Sequence, residues 1–354
     1  MIYGERNMIP HSRPTIDQSD IESVTRVLKS GHLEDGADVK SLERLFCSRF
    51  HKQYAVAVSS GFASLLLSLK ALRVSPGDEV IIPSYTCPAL MNPIRLLGAI
   101  PVLADVGENS FNVSVNSVAH LVSNKTKAIV VPHTFGFPAE IEAIKSLGVP
   151  VIEDCAQALG GSYQHKPLGT FGDLAVFSFY STKMIAAGDG GMVVTDNEEY
   201  YRIMLDYRYY GHRKGCSTIA FNFHLTNLPA VLAISQFEKL DKFVLRRREL
   251  ALLYDSLLAD VPSISTLFEN KDSSCYYRFP IRVQDAASVI LKMKERGIEC
   301  GHGVLEGMHQ LLCLGEENYL HTEHNLKTIV SLPIYPLLSE DEVYQIVYIL
   351  RQVI

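Results

Sequence analysis

The chain has 354 residues, of which 47% are hydrophobic and 20% charged, as is typical of a globular protein with a sizeable core. Its formal net charge of −6, from 33 basic and 39 acidic residues without a basic patch, excludes the charge pattern of a nucleic-acid-binding protein. Its apolar runs are broken well short of ~18 residues, so we expect no membrane-spanning helix.

The first segment and the cysteines bear on where the protein works. Met1 to Pro10 contains Glu5 and Arg6 and lacks an apolar stretch, so it does not have the pattern of a secretory signal. The seven cysteines show no CxxC spacing, which favours reduced thiols over disulfides or a zinc site. Both observations predict a cytoplasmic protein without a bound metal.

The first two thirds of the chain show the pattern of an α/β domain. Apolar residues at helical spacing predict helices from Ser19 to Ser30 and from Val39 to Phe50. Continuous apolar runs, typical of strands buried on both faces of a parallel sheet, follow with helical segments between most of them. They span residues 54–58, 80–83, 101–103, 128–132, 150–153, 174–179 and 191–195. We predict a mostly parallel seven-stranded sheet with helices on both faces.

The pattern changes near residue 240. A long charged helix over 241–258 leads into a strand within 278–283 and two helices over 286–296 and 340–352. We therefore predict a large domain over 1–240, including an N-terminal arm, and a smaller α/β domain over 241–354. Three consecutive arginines at 246–248 are interpreted as a solvated face of the long helix.

The residues after the first strand are small and begin a helix. The run Ser59-Ser60-Gly61-Phe62-Ala63-Ser64 leaves backbone N–H groups at a positive helix end, which suits a phosphate. The simpler interpretation is a helix that Ser60 caps.

One lysine follows a buried strand, and an acid ends another. Lys183 is surrounded by small and hydroxyl residues, where an amine can be desolvated and become a nucleophile for a carbonyl. Asp154, Ser178 and His133 all fall at strand ends, where ligands gather in open α/β sheets. A lysine and a strand-end acid together predict pyridoxal phosphate, with the acid beneath its ring nitrogen. For His133 the alternative is an ordinary packed loop histidine.

At these residues the chain resembles the DegT/DnrJ/EryC1/StrS family of pyridoxal-phosphate-dependent sugar aminotransferases of fold type I. The matching motifs are 153–158 (EDCAQA), 177–183 (FSFYSTK) and 188–191 (GDGG), in the family's order and spacing. The resemblance extends from residues 9–14 to residues 331–336, which is nearly the whole chain.

The resemblance implies a role for each site residue. Lys183 forms the Schiff base and moves protons, Asp154 pairs with the ring nitrogen, and Gln157 binds the phenolic oxygen. The phosphate is held by Ser178 and the helix start at Gly61, Phe62 and Ala63. Cys87 occupies the position that stacks on the ring, with Tyr85 as the alternative. Asn222 reaches the phosphate of a dimer partner, and His133 and His309 lie near the substrate.

Four residues depart from the family pattern. Phe62, Cys87, His224 and Gly303 stand where Thr, an aromatic residue, Arg and His are common. The departures predict a site adjusted to an unusual sugar, with additional room at Cys87 and Gly303, while neutral exchange with local repacking is the alternative. An anion contact at His224 would be weaker or pH-dependent.

The implied activity is transfer of an amino group from L-glutamate or L-glutamine to a keto sugar, nucleotide-linked, in a homodimer. Three alternatives stay open. A dehydratase of the same family would have His in place of Lys183. Another fold-type-I enzyme, such as a lyase, would act on a different substrate, and a non-catalytic regulator would bind a ligand without chemistry.

Overall fold

The structure is a computed structural model that describes residues 8–210, 219–266, 268 and 271–354. The segment Met1 to Pro10 is predicted not to be a secretory signal, and its first seven residues, Met1 to Asn7, lie outside the described residues. The helices are α1 (Gln18–Ser30), α2 (Ala37–Phe50), α3 (Gly61–Ala71), α4 (Met91–Leu96), α5 (Val115–Leu121), α6 (Ile141–Lys145), α7 (Glu198–Arg208), α8 (Asn227–Glu238), α9 (Leu240–Leu258), α10 (Ala286–Glu295), α11 (Met308–Leu311), α12 (Leu320–Thr328) and α13 (Glu340–Val353).

The strands are β1 (Tyr54–Val58), β2 (Glu79–Pro83), β3 (Ile100–Ala104), β4 (Thr126–Pro132), β5 (Val151–Asp154), β6 (Ser162–Tyr163), β7 (Lys166–Pro167), β8 (Leu174–Ser178), β9 (Gly191–Thr195), β10 (Phe279–Arg282), β11 (Gly301–His302) and β12 (Ile329–Leu332). Seven of them form one sheet in the order β1-β9-β8-β5-β4-β2-β3. Only β9 runs antiparallel to its neighbours within that sheet. The predicted seven-stranded, mostly parallel sheet is confirmed.

Successive side chains of the sheet are buried on opposite faces. In β4, Ile129 and Val131 pack in the cluster that includes α2 and α8, whereas Ala128 and Val130 pack in the cluster of α3 and α4. The period of two between the faces explains why the strands read as continuous apolar runs. The same alternation turns the neighbouring acids at the end of β5, residues 153 and 154, to opposite faces.

A second, smaller unit has its own core. Its antiparallel sheet has the order β10-β12-β11 and packs against α10 and α13. Helix α9 contributes Leu240 and Val244 to the core of the large sheet, and Leu250 and Tyr254 to that of the small one. The predicted boundary at residue 240 therefore lies at the start of a helix that packs in both cores, and the exact division stays a prediction.

The N-terminal segment packs in the small core. Ile9 is 5% exposed within that core, and its backbone pairs with Gly297 and Glu299 at 2.9 and 3.0 Å. Within the described residues, no helix combines the length and apolarity that crossing a bilayer requires.

The interpretation of residues 246–248 as a solvated face is wrong for the middle arginine. Arg247 is 3% exposed, and its Nη1 donates to the carbonyl groups of Tyr276, Tyr277 and Ile334 at 2.8 to 3.3 Å. Burial lowers its pKa to about 10, so it remains a cation at neutral pH. A charge run in the sequence does not reveal which arginine finds buried carbonyl partners.

Candidate active site

A cavity of about 640 Å³ opens at the carboxyl ends of β4, β5 and β8, beside the first turn of α3. This is where ligands bind in open α/β sheets. Eight of the predicted site residues line it: Gly61, Phe62, Cys87, His133, Asp154, Gln157, Ser178 and Lys183. Three others, Ala63, Asn222 and His309, are not among its lining residues.

Lys183 and Asp154 reach the cavity from neighbouring strands. Asp154 is the last residue of β5 and pairs with Val176 of β8, and Lys183 follows β8 in a loop. Burial raises the pKa of the Asp154 carboxyl, while a hydrogen bond from the Ala156 N–H at 2.9 Å and the positive charge of Lys183 oppose the rise. A cation placed against this buried carboxyl would therefore favour its ionised form.

Gln157 is oriented by a backbone amide. Its Oε1 accepts a hydrogen bond from the N–H of Phe135 at 2.8 Å. Because a backbone N–H only donates, the amide oxygen of Gln157 must face Phe135, and the two N–H donors of Nε2 are turned away from it. Gln157 lines the cavity, so these donors suit a phenolic oxygen of a bound ring.

The first turn of α3 lies close to Ser178. A Cβ on Gly61 would stand 2.9 Å from Ser178 Cβ and 3.1 Å from its Oγ, so the approach requires glycine. Ser60 caps the helix and accepts the Ala63 N–H at 3.1 Å. Within the described residues, the N–H groups of Gly61 and Phe62 therefore remain as the free donors of this turn, next to the Ser178 hydroxyl. This cradle suits a phosphate. The cap leaves the predicted Ala63 donor already occupied.

His133 borders the cavity but has both ring nitrogens bonded to protein. Nδ1 accepts the N–H of Ala139 at 3.0 Å, and Nε2 lies 3.0 Å from Glu153 Oε1. Since Nδ1 accepts, the ring proton is on Nε2 and points at Glu153. The fully buried ring therefore has no nitrogen free for a substrate, and any contact it makes there is by packing.

Glu153 binds the loop that follows β7. Its carboxylate accepts the N–H groups of Gly169, Phe171 and Gly172 at 2.5 to 2.9 Å. Burial alone would raise the pKa of Glu153, but His133 and these backbone donors outweigh it, and the pKa is lowered. A cysteine, residue 155, lies within 4.8 Å of both side chains, yet the ligand atoms of His133 and Glu153 are already hydrogen bonded. We therefore assign this cluster a structural role.

His309 lies outside the cavity and is fully buried. Its Nδ1 is 2.7 Å from Ser84 Oγ and its Nε2 is 3.0 Å from Glu323 Oε1. The ring also stacks on Tyr319, with centroids 4.6 Å apart. The predicted contact with substrate is not supported by this geometry. His309 instead connects the end of β2 to α12 through these hydrogen bonds. A family motif in the sequence does not distinguish a histidine that contacts substrate from one that connects two elements.

Asn222 is exposed and lies outside the lining of its own chain's cavity. Its position agrees with a contact to a neighbouring subunit, which stays a prediction. His224 forms a backbone bridge with Val58, and its buried Nδ1 has no hydrogen-bond partner among the described residues.

Of the two candidates for the ring-stacking position, only Cys87 lies at the cavity, and its stacking role stays a prediction. Cys87 is exposed and lines the cavity, whereas Tyr85 is fully buried in the core of the small unit and does not line it. Gly303 also lines the cavity. However, Tyr85 and Phe135 fill the space beside it. The expectation of additional room at Gly303 is therefore wrong, while that of additional room at Cys87 stays a prediction.

Sequence reasoning missed several cavity residues. Thr86, Asp189, His302 and Glu306 also line it. Thr86 directly precedes Cys87, and Asp189 belongs to the motif at 188–191. Both could therefore have been proposed as site residues from the sequence. Tyr277, which contacts Lys183, comes from a distant part of the chain and carries no local signal.

Comparisons with known proteins agree with this geometry. The sequence profile of the DegT/DnrJ/EryC1/StrS aminotransferase family matches residues 14–351. Spr1654 from Streptococcus pneumoniae, an assigned sugar aminotransferase solved in its PMP form, has 25% identity and a TM-score of 0.92 over 98% of this chain and 97% of that one. TlmJ, an aminotransferase from Streptoalloteichus hindustanus, has 29% identity and a TM-score of 0.92 over 98% of both chains.

A third solved structure with this fold is that of a dehydratase. A mutant of GDP-4-keto-6-deoxymannose-3-dehydratase (ColD), solved with bound GDP-perosamine, has 24% identity and a TM-score of 0.89 over 97% of this chain and all of that one. At this identity the likeness concerns the fold alone. The family match covers nearly the whole chain, and the fold agrees with that of the solved relatives. The chain therefore belongs to the DegT/DnrJ/EryC1/StrS aminotransferase family and is a pyridoxal-phosphate-dependent enzyme of fold type I.

Proposed function

We propose that the protein transfers an amino group from L-glutamate or L-glutamine to a keto sugar linked to a nucleotide. The observation that carries the proposal is the meeting of Lys183 and Asp154 in one cavity, across from a helix start with free N–H donors. These are the groups that pyridoxal phosphate needs at its aldehyde, its ring nitrogen and its phosphate.

When bound, the cofactor supplies the electron sink that stabilises a carbanion at the substrate carbon. Lys183 would bind the cofactor through Nζ and, when free, would carry a proton at Nζ between two carbons. Asp154, ionised beside a cation, would balance the positive charge at the ring nitrogen. Gln157 would donate to the phenolic oxygen, and Ser178 and the N–H groups of residues 61 and 62 would hold the phosphate.

The substrate assignment rests on the cavity and the fold. About 640 Å³ is within the range of pockets that accept drug-sized ligands, and the opening beside Cys87 leaves space above the ring position. The same fold holds GDP-perosamine in the dehydratase named above, so it can accommodate a nucleotide-linked sugar. Dehydratases of this family have His where this chain has Lys183, which favours aminotransfer.

We further propose that the enzyme works as a cytoplasmic homodimer. Exposed Asn222 would reach the phosphate site of the partner subunit. The described cysteines are free thiols, as a reducing compartment would keep them.

The test uses the purified full-length protein loaded with pyridoxal phosphate. L-glutamate or L-glutamine should bleach the visible absorption band of the cofactor, and one keto sugar of a nucleotide-linked panel should restore it. Mass spectrometry should then find the matching amino sugar. A band that neither donor changes would contradict the proposal, and restoration only by 2-oxo acids would make the protein an amino-acid aminotransferase.

A further inference from the structure

Lys183 has an aromatic neighbour outside the cavity lining. Its Nζ stands 5.2 Å from the centroid of the Tyr277 ring, within the ~6 Å at which a ring face attracts an ammonium group. Tyr277 is 6% exposed, so the contact is largely shielded from water. It connects the loop after β8 to the segment just before β10, which lies in the second unit of the structure.

The ring of Tyr277 is fixed from several sides. Arg278 Nη2 lies 3.3 Å from the phenol oxygen and can only donate to it, and the Arg278 guanidinium Cζ also lies 4.5 Å from the ring centroid. The phenol proton is then free to bond Thr182 Oγ1, also at 3.3 Å. The backbone carbonyl of Tyr277 accepts from the buried Arg247 at 3.3 Å. Because Thr182 directly precedes Lys183, this hydrogen bond joins the Tyr277 ring to the loop that carries the amine.

The electrostatics agree with this arrangement. Burial would raise the pKa of the Tyr277 phenol, but the nearby charges of Lys183, Arg278 and Arg247 and the hydrogen bond with Thr182 outweigh it, and the pKa is lowered. The amine of Lys183 is therefore close enough to influence the ring.

We propose that Tyr277 is a positioning residue that receives the free amine of Lys183 whenever Nζ is not bonded to the cofactor. This inference rests on the proposed function. During proton transfer the lone pair of Nζ accepts a proton from one carbon, Nζ becomes an ammonium group, and it returns to the neutral amine when it delivers the proton to the second carbon. The ring face stabilises the ammonium between these two events and keeps it beside the cavity.

The alternative is that Tyr277 is only a core side chain, since it also packs in the core of the large sheet. Two replacements separate the possibilities. Tyr277→Phe keeps the ring face and removes the hydroxyl, whereas Tyr277→Leu removes the ring face and keeps an apolar side chain. A pure packing role would make the two variants differ in stability without changing the chemistry of Lys183.

The first measurement uses the cofactor-free, full-length protein. Isotope-coded acetic anhydride is used to acetylate it, and the labelling of Lys183 is compared by mass spectrometry with that of Lys29, which lies on the exposed side of α1. At about pH 8, Tyr277→Leu should increase relative labelling of Lys183 about three- to tenfold, because the ring face that attracts its ammonium form is removed. Tyr277→Phe should stay within about twofold of the wild type.

The pH dependence separates charge from access. At a pH where the amine is neutral in every variant, the increase in Tyr277→Leu relative to Tyr277→Phe should disappear, since no ammonium remains to be stabilised and neither variant has a phenol that can ionise. An increase that persists unchanged at that pH would reflect easier access and would overturn the proposal, as would equal labelling of both proteins at the lower pH. If Tyr277→Leu does not fold, Tyr277→Met, which is flexible and has no ring face, takes its place.

The second measurement uses the loaded enzyme. With glutamate deuterated at its α-carbon, Tyr277→Leu should show a larger isotope effect on bleaching of the cofactor band than the wild type, because proton transfer becomes slower relative to binding. Tyr277→Phe should match the wild type. An isotope effect identical in all three proteins contradicts the proposal. If wild-type protein shows no bleaching at all, the proposed function fails, while the labelling result still decides the contact.

Discussion

The side chain of Tyr85 occupies the space that a side chain at residue 303 would need. A Cβ built on Gly303 would overlap the Tyr85 hydroxyl and lie 2.7 Å from Phe135 Cζ. Tyr85 is fully buried, and among the described residues its hydroxyl has no well-aligned hydrogen bond, with only the backbone of Val304 as a weak polar neighbour. Burial also raises the pKa of this phenol, so it stays neutral. The glycine at 303 is thus matched to a tyrosine and does not enlarge the cavity.

The match between Tyr85 and Gly303 predicts coupled stabilities. Gly303→Ala should destabilise the fold by about 1–3 kcal/mol because of overpacking. Tyr85→Phe should be neutral or up to about 1 kcal/mol stabilising, since it removes a buried hydroxyl without a well-aligned partner. In the double variant the cost of the Gly303→Ala substitution should fall by at least about 0.5 kcal/mol. Denaturant unfolding of the four proteins measures this, and strict additivity would argue against the match.

Cys87→Phe tests the other departure on its own. A phenylalanine at this lining position would fill part of the cavity above the ring position. Cofactor binding should persist, while kcat/KM for the true keto sugar should drop more than about tenfold, which is about 1.4 kcal/mol of transition-state binding. Unchanged kcat/KM would support the neutral-exchange alternative.

Asp154→Asn tests the role of the buried acid. The variant keeps the shape of the side chain and an oxygen for the Ala156 N–H, but removes the charge. Pyridoxal phosphate should still bind, whereas bleaching by the amino donor should slow by about 10²–10⁴-fold, because the ring nitrogen loses its counter-charge. Asp260→Asn, at an exposed ion pair with Arg351, is the matched control and should behave as wild type. Near-normal bleaching in Asp154→Asn would count against the role.

Lys183 should be the residue that binds the cofactor. Borohydride reduction of the loaded enzyme followed by peptide mapping is expected to place the pyridoxyl group on Lys183 alone. Lys183→Ala should lose the tag and reduce amino transfer by about 10²–10⁴-fold, the usual contribution of a positioned acid–base group. A tag on any other lysine would refute the assignment.

The lowered pKa of Glu153 predicts that the folded protein becomes less stable at acidic pH. Its folded-state pKa is lowered, so the stability it contributes is present above the ordinary value of 4.5 and is lost as pH falls through the lower folded-state pKa. Glu153→Gln should cost about 1–3 kcal/mol for each donor left unpaired at neutral pH, because one carboxylate oxygen becomes an NH2 group that faces N–H donors. It should also flatten the fall in stability as the pH drops below the ordinary carboxyl pKa of 4.5. An equally steep fall in the variant would rule out Glu153 as its source.

The sheet could be predicted from local signals, and most of the cavity residues from those signals together with the family resemblance. Buried parallel strands read as apolar runs, and their carboxyl ends placed Asp154, Ser178 and Lys183 together. Hydrogen bonds between distant residues could not be predicted. His309 is engaged by residues 84 and 323, partners that only the folded chain brings to it. Arg247 likewise finds carbonyl groups 30 and 87 residues away, which no run of three arginines reveals.

The predicted homodimer can be tested by mixing inactive subunits. If Asn222 acts in the partner's site, Lys183→Ala and Asn222→Ala should each be inactive, or nearly so, as pure proteins. In a mixed dimer, the site that keeps Lys183 receives Asn222 from the other subunit and is fully wild type. Random re-association should therefore restore about a quarter of wild-type activity, since half of the dimers are mixed and each has one intact site.

The same mixture separates the two arrangements of Asn222. If Asn222 served the cavity of its own chain, no site in a mixed dimer would contain both residues, and mixing would restore nothing. A mixture of Lys183→Ala with Asp154→Asn is the control, because those two residues line the same cavity of one chain and cannot complement each other. Dilution provides an independent check, since a site completed by a second subunit should bind pyridoxal phosphate more weakly as dimers dissociate. Full activity from a monomer in sedimentation would rule out the dimeric site.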